Sequence, residues 1–449
     1  MGKLFGTDGV RGVANIKPMT AEMALAIGRA TAHVCKRHHN RHRIVIGKDT
    51  RVSGYMIETA LTAGICSMGV DVLLVGPMPT PGIAFITHNM RADAGMVISA
   101  SHNPYQDNGI KIFSRDGFKI HDDVEDEIES LITTKKIHDI RPTAAEIGKA
   151  FRIDDAIGRY IVFCKNTFPD NMTLDGLKIV LDCANGATYK VAPIIFTELG
   201  AEVTTLHDHP DGMNINDHCG ALYPENLARK VQATGADVGL AFDGDGDRLI
   251  VIDEKGQRLT GDHIIAVCAK AMKDCGMLRN NLVITTAMSN YGFRETMKQL
   301  NIGLAEAAVG DRYVLKLMRE KEAVLGGEES GHIIFLNFHT TGDGIISALQ
   351  LLAILQDSEK KLSELAGIMQ LAPQLMINVA VNAKPPLETI APLQGALQHA
   401  QAKLSGRGRV LVRYSGTQAI CRVMVESMDQ ALTRRIAEDL AQIVKQNIG

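Results

Sequence analysis

The chain has 449 residues, 45% of them hydrophobic, and a formal net charge of −3 from 48 basic and 51 acidic side chains. That length carries about three or four domains, each able to build a core. The mixed, nearly balanced charge excludes a global field for nucleic acid or membrane, and the lack of Trp removes a stacking platform for single strands.

Any anionic ligand must therefore be held by local clusters. No apolar run reaches the roughly 18 residues of a spanning helix, and no signal peptide is expected ahead of Phe5. The eight cysteines are scattered without a C-x-x-C pair. Reduced, mostly buried thiols and a cytoplasmic setting are expected.

The N-terminus, Phe5-Gly6-Thr7-Asp8-Gly9-Val10-Arg11-Gly12, reads as tight glycine-rich backbone around one exposed arginine. Arg11 suits an anion in a cleft, and equally a solvated turn. Thr20 to Val34 has helical spacing, and Lys36 to His42 reads as a solvated helix end, since its histidines lack metal-ligand spacing.

Strands are predicted at 44–46, 70–75 and 95–98, with a helix over 53–68 between the first two. This is the β-α-β-α-β alternation of a mostly parallel sheet. The third strand runs into Ser99-Ala100-Ser101-His102-Asn103-Pro104, a small-residue loop that presents the Ser101 hydroxyl. Alone, it is equally the sequence of a polar turn. Lys111 follows on a possible returning strand. Residues 122–132 read as a solvated acidic helix face, and 135–141 as a basic linker.

The pattern restarts with strands at 177–181, 203–206, 237–242 and 249–252, and again at 282–286, 304–309 and 323–325, before a buried helix at 345–355. The first restart carries Asp243-Gly244-Asp245-Gly246-Asp247-Arg248. Three carboxylates on so tight a curve repel one another unless a hard cation such as Mg²⁺ fills the loop. An EF-hand fails here, because Arg248 stands at the turn-glycine position and both flanks read as strands. The second restart carries Glu328-Glu329-Ser330-Gly331-His332, which suits sugar hydroxyls or an ordinary loop.

The last segment alternates strands at 375–381, 409–413 and 420–425 with helices at 387–404 and 430–446. Its final strands flank Arg413-Tyr414-Ser415-Gly416-Thr417, with Arg422 nearby. This is the composition of a phosphate cradle, though not of a Walker A loop. The expected fold is three successive α/β domains with mixed, mostly parallel sheets plus a C-terminal α+β domain around a central cleft. The boundaries are placed at 1–150, 151–255, 256–370 and 371–449.

Six motifs in order, at 5–12, 47–51, 99–104, 243–248, 327–332 and 413–417, resemble the α-D-phosphohexomutase superfamily over nearly the whole length, and within it the amino-sugar branch. The resemblance implies a phosphoserine at Ser101 and one Mg²⁺ held by Asp243, Asp245, Asp247 and that phosphoserine. It implies sugar recognition by Glu328 and Ser330, and a clamp for the non-reacting phosphate at Arg413, Ser415, Gly416 and Thr417. Arg11, Lys111 and His332 match the residues beside the transferring group.

The implied reaction interconverts glucosamine 6-phosphate and glucosamine 1-phosphate through glucosamine 1,6-bisphosphate, on the bacterial route to UDP-N-acetylglucosamine and peptidoglycan. The implied partner is a small phosphosugar, with the enzyme a monomer or homodimer. A phosphomannomutase/phosphoglucomutase is the alternative; Thr340-Thr341-Gly342-Asp343-Gly344 favours the amino-sugar branch by resemblance. One motif departs: the family loop continues Gly-Thr-Glu-Pro, where this chain has Gln418-Ala419 after Thr417.

Overall fold

The structure is a computed structural model and describes residues 4–6, 8–36, 42–415 and 419–449. The first sheet runs, in spatial order, Val10–Val13, Asp107–Ser114, Ala94–Ile98, Arg43–Lys48, Asp71–Pro77 and Ala150–Arg152. Arg43–Lys48 pairs in parallel with both Asp71–Pro77 and Ala94–Ile98, as the repeated strand–helix pattern requires. Asp107–Ser114 returns antiparallel to Ala94–Ile98. The helices Ala21–Cys35 and Ser53–Cys66 cover the sheet, the first capped by Thr20, whose Oγ1 accepts from Met23 N at 3.3 Å.

The second sheet runs Arg258–Leu259, Leu249–Asp253, Val238–Phe242, Lys178–Asp182 and Glu202–Leu206. The third runs Gly303–Ala307, Leu282–Thr286, Leu325–Gly327 and Ile333–Phe335. Both repeat the plan of the first. Parallel strands are followed by one antiparallel return, Leu249–Asp253 on Val238–Phe242 and Ile333–Phe335 on Leu325–Gly327. All three chemistry-bearing loops thus join a parallel strand to its antiparallel return. The helix Gly344–Ser358 is buried over most of its length, as its apolar sequence predicts.

The last sheet, Gln374–Ala380, Ile420–Ser427 and Gly408–Tyr414, is wholly antiparallel, with Ile420–Ser427 central. The helices Ala391–Leu404 and Gln430–Ile448 close its core. The chain forms two compact units: Met1–Ala287 with Leu304–Ala366, and Met288–Gly303 with Gly367–Gly449.

Several expectations are corrected. The glycine-rich N-terminus is partly a strand, Val10–Val13, because Asp107–Ser114 offers it an edge. Residues 135–141 are not a free linker: Ile137 is buried in the first core, and Ala150–Arg152 then pairs with Asp71–Pro77. The acidic helix Asp122–Thr133 is not solvated throughout, since Glu125 is buried against Arg312. The third-sheet strand expected at 323–325 lies at Leu325–Gly327, because the return strand registers Gly326 and Gly327 into the ladder. The helix expected over 387–404 splits into a short turn at Leu387–Thr389 and Ala391–Leu404, because Pro392 has no N–H for a continuous helical ladder. Residues 37–41 lie outside the described residues; His42 is buried, 3.3 Å from Asp93.

Candidate active site

Ser101 is buried and held in the left-handed region at φ +53°. A non-glycine residue there is over-determined by its surroundings, a state common at reacting groups. The surroundings are explicit. Arg51 is fully buried and donates from Nη2 to the carbonyls of Ser101 (2.9 Å) and Asn103 (2.8 Å). Its Nη1 serves the carbonyls of Pro104 and of Asp107 (3.0 Å), and its Nε serves Asp49 Oδ2 (2.8 Å). Asn216 Nδ2 also donates to Ser101 O at 2.9 Å. The Ser101 amide donates to Ser99 Oγ, which donates to Asp49.

The Ser101 hydroxyl donates to Asp243 Oδ2 at 2.7 Å, which brings the 99–104 loop to the acidic loop. Gly244 permits the approach: a Cβ there would lie 2.7 Å from the Ser101 carbonyl oxygen. Gly246, at φ +71°, turns the loop between Asp245 and Asp247. Carboxylate oxygens of Asp243, Asp245 and Asp247 lie within 4.8 Å of one another, all buried. Burial, then the Asp247 and Asp245 charges, push the Asp243 carboxyl well above the usual range. Asp245 Oδ2 accepts from Thr80 (2.6 Å) and Lys111 (2.9 Å). Asp245 Oδ1 and Asp247 Oδ1 are buried with no hydrogen-bond partner among the described residues. Unpaired, inward-facing carboxylate oxygens are costly unless a hard cation takes them, so the residues present fit Mg²⁺. The EF-hand is excluded by the two flanking strands; Glu254, which stands where such a loop places its twelfth-position ligand, accepts from Ser363.

Lys111, on Asp107–Ser114, is buried between Asp245, Asp8 and Asp247. Burial alone would lower its ammonium; those carboxylates outweigh burial and raise it. Asp247 shows the reverse balance: burial opposes its charge, but Lys111, His332 and Arg248 hold it well below the usual range. His332 lies 3.6 Å from Asp247 and 3.8 Å from Asp311. Against burial, Asp247, Asp311 and Glu328 raise it to about 9. His102 Nδ1 lies 3.3 Å from Ser101 Oγ, and burial, with Arg248 and Arg11 nearby, pushes this imidazole down to about 4. One histidine is thus cationic and the other neutral near pH 7.

Arg11 is half-buried rather than exposed and pairs with Asp8. Asp8 also takes Lys119, which reaches on to Asp311. Asp8, His102 and Arg51 lie inside sequence motifs that already stood out. Lys119, Asp311 and Thr80 carried no local signal. Glu328 is half-buried, accepting from Gly310 N at 3.1 Å, and Ser330 is exposed.

Ser101, Lys111, Arg11, His332 and the three aspartates are therefore brought together in one unit. Arg413 and Ser415 belong to the other unit, at the end of Gly408–Tyr414. Arg413 stands directly opposite Arg422 across the ladder. Two like charges at such a pair repel, which an anion between them relieves. Gly416, Thr417 and Gln418 lie outside the described residues.

Models of the four phosphoglucomutase/phosphomannomutase domains match in order: alpha/beta/alpha domains I, II and III at residues 2–138, 159–256 and 260–371, and the C-terminal domain at 376–443. The phosphoglucosamine mutase of Syntrophus aciditrophicus (strain SB) is 59% identical over 449 residues, 100% of both chains. The chain belongs to the phosphoglucosamine mutase family. It is accordingly an isomerase of the phosphohexomutase type, which favours this reading over a phosphomannomutase/phosphoglucomutase. A crystal structure of a phosphoglucomutase/phosphomannomutase family protein from Burkholderia thailandensis superposes with TM-score 0.82 at 26% identity, covering 100% of this chain and 98% of that one. The Aspergillus fumigatus N-acetylphosphoglucosamine mutase, solved with GlcNAc-6P and magnesium, shares the fold at TM-score 0.66 and 17% identity, covering 99% of this chain and 95% of that one.

Proposed function

We propose that Ser101 is a resident phosphate carrier that interconverts glucosamine 6-phosphate and glucosamine 1-phosphate. The carrying observation is the Ser101 hydroxyl itself: buried, backbone-constrained, and 2.7 Å from the acidic triad. Phospho-Ser101 passes its phosphoryl group to O1 of the 6-phosphate, giving the 1,6-bisphosphate. The intermediate turns over, and Ser101 takes the 6-phosphoryl group, leaving the 1-phosphate.

Asp243, Asp245 and Asp247, with a phosphoserine oxygen, would hold Mg²⁺, which supplies positive charge against the phosphoryl oxygens. Lys111 and Arg11, fixed by Asp8, present cations toward the same point. His332, protonated up to about 9, adds a third. Glu328 and Ser330 read the sugar hydroxyls. Arg413, Ser415 and the following Gly416 and Thr417 clamp the distal phosphate; the Arg413–Arg422 pairing supports this. The phosphoserine, metal, sugar and clamp roles then fall to residues 1–150, 151–255, 256–370 and 371–449. All eight cysteines are free thiols, which supports a reducing, cytoplasmic setting. Among the described residues no helix is long and apolar enough to cross a membrane.

Ser101→Ala is expected to abolish turnover while leaving substrate binding measurable. Mass spectrometry of the wild-type protein should place a phosphate on Ser101. Coupled assays should rank glucosamine 6-phosphate above the glucose and mannose 6-phosphates. Full activity in Ser101→Ala would sink the phosphate-carrier reading, and an equal rate on mannose 6-phosphate the substrate assignment.

A further inference from the structure

A second cluster of ligand-bearing side chains lies at the carboxyl ends of the second sheet, outside the site described above. Asp182 ends the strand Lys178–Asp182, and His207 directly follows its parallel neighbour Glu202–Leu206. Cys219 immediately precedes the short helix Gly220–Leu222. A carboxylate oxygen of Asp182, a ring nitrogen of His207 and the Cys219 sulfur all lie within 4.8 Å of one another. The three come from separate segments, so the sheet, and not a local turn, converges them.

The local bonding holds each donor in place. Asp182 is fully buried, fixed by the backbone N–H groups of Ala184 (2.9 Å, Oδ1) and Gly220 (3.0 Å, Oδ2). His207 is held at φ +51°, with Nδ1 3.0 Å from Asp182 Oδ2. Nδ1 is nevertheless shielded from water and makes no aligned hydrogen bond among the described residues. On the other side of the ring, the Asn226 side-chain amide faces Nε2 at 3.5 Å. The atom at that distance is Asn226 Nδ2; flipped end for end, the amide presents its oxygen instead, accepts a hydrogen bond from Nε2–H and leaves the Nδ1 lone pair for a metal. Cys219 is buried, and burial, then the Asp182 charge, push its thiol up to about 12.

We propose that Asp182, His207 and Cys219 form a binding site for a divalent cation of the Zn²⁺ type, with water at the fourth position. Carboxylate, imidazole and thiolate are a borderline-soft set, whereas the three aspartates beside Ser101 offer only hard oxygens. The two sites therefore sort metals by chemistry. Binding forms the metal–sulfur bond and releases the Cys219 proton to solvent. Its role is bracing: Cys219 lies three residues beyond Asn216, whose side chain holds the Ser101 and Asn103 carbonyls at 2.9 and 3.0 Å. The competing arrangement is an ion pair alone, with His207 protonated and raised by Asp182 against burial.

Cobalt titration of the full-length protein in Mg²⁺ buffer tests this, because only a thiolate ligand gives a sulfur-to-cobalt charge-transfer band. The wild type should show that band and retain stoichiometric zinc after dialysis against Mg²⁺. Cys219→Ser should lose the band while its circular dichroism stays that of the wild type. His207→Ala should bind zinc at least roughly tenfold more weakly. Cys275→Ser, which removes the exposed thiol, should behave as wild type. No band in the wild type, a band that survives Cys219→Ser, or one lost in Cys275→Ser would each overturn the site and leave the ion pair.

Discussion

Arg51 concentrates the logic of the site in one side chain. A guanidinium has five N–H donors in a planar fork, and here all five are used, on Asp49 and on four carbonyls between Ser101 and Asp107. Lysine keeps the charge but not the fork. Arg51→Lys should therefore strand buried carbonyls and lower stability by about 3 kcal/mol or more. It should also lower kcat by roughly a hundredfold, because a misplaced Ser101 loses near-attack geometry. Urea unfolding and steady-state kinetics check both; a variant as active as wild type would show that the loop positions Ser101 without Arg51. The residues proposed to carry the chemistry, Ser101, Lys111, His332 and the aspartates, stood out because each sits in or beside a short motif of unusual composition. Arg51 was legible only as part of a motif, without a role. Lys119 and Asp311 were not legible, because their significance is a contact between side chains 192 positions apart.

At the scale of elements, the repeated alternation of strand and helix was readable because buried parallel strands are short apolar runs between turn signals. What periodicity does not encode is edge pairing. Val10–Val13 and Ala150–Arg152 exist because the first sheet offers them edges, and neither has a strand's alternation. The helix Gly344–Ser358 carries a consequence for pH. Its cap Asp343 accepts from Ile345 N and Ile346 N at 2.9 and 3.0 Å and from the Tyr160 hydroxyl at 2.8 Å. Burial nonetheless pushes this carboxyl up to about 6, from an ordinary 3.8. The folded protein thus binds the proton more tightly than the unfolded chain. The associated stability is fully present below the unfolded value and is lost as pH rises through about 6. Its size is at most about 3 kcal/mol. Asp343→Asn keeps a capping oxygen but does not titrate. Urea midpoints from pH 4 to 8 should show the wild type losing stability relative to Asp343→Asn up to about pH 7, with no further change above it. A difference independent of pH would mean that Asp343 does not titrate in this range.

At the scale of the whole molecule, the proposed chemistry and the proposed clamp lie on residues of different compact units. A phosphoserine cycle conserves its phosphoryl group only if the bisphosphate stays bound while it turns over. If it escapes, Ser101 is left as a bare hydroxyl and the enzyme is silent until recharged. The clamp must therefore hold an intermediate that has no phosphoryl link to Ser101, and it must serve both orientations. On the proposed function, Arg413 and Arg422, directly opposed across one ladder, would supply the charge for this without lending a group to the transfer. Arg413→Ala should accordingly do more than raise KM. Progress curves should begin near the wild-type rate and decay within a limited number of turnovers, as escaping bisphosphate leaves unphosphorylated enzyme. Added hexose 1,6-bisphosphate should restore the rate, and phosphate on Ser101 should fall and recover in step. A uniformly slow, non-decaying rate that bisphosphate does not rescue would place Arg413 in substrate capture alone, and the retention of the intermediate would have to come from the residues that face Ser101.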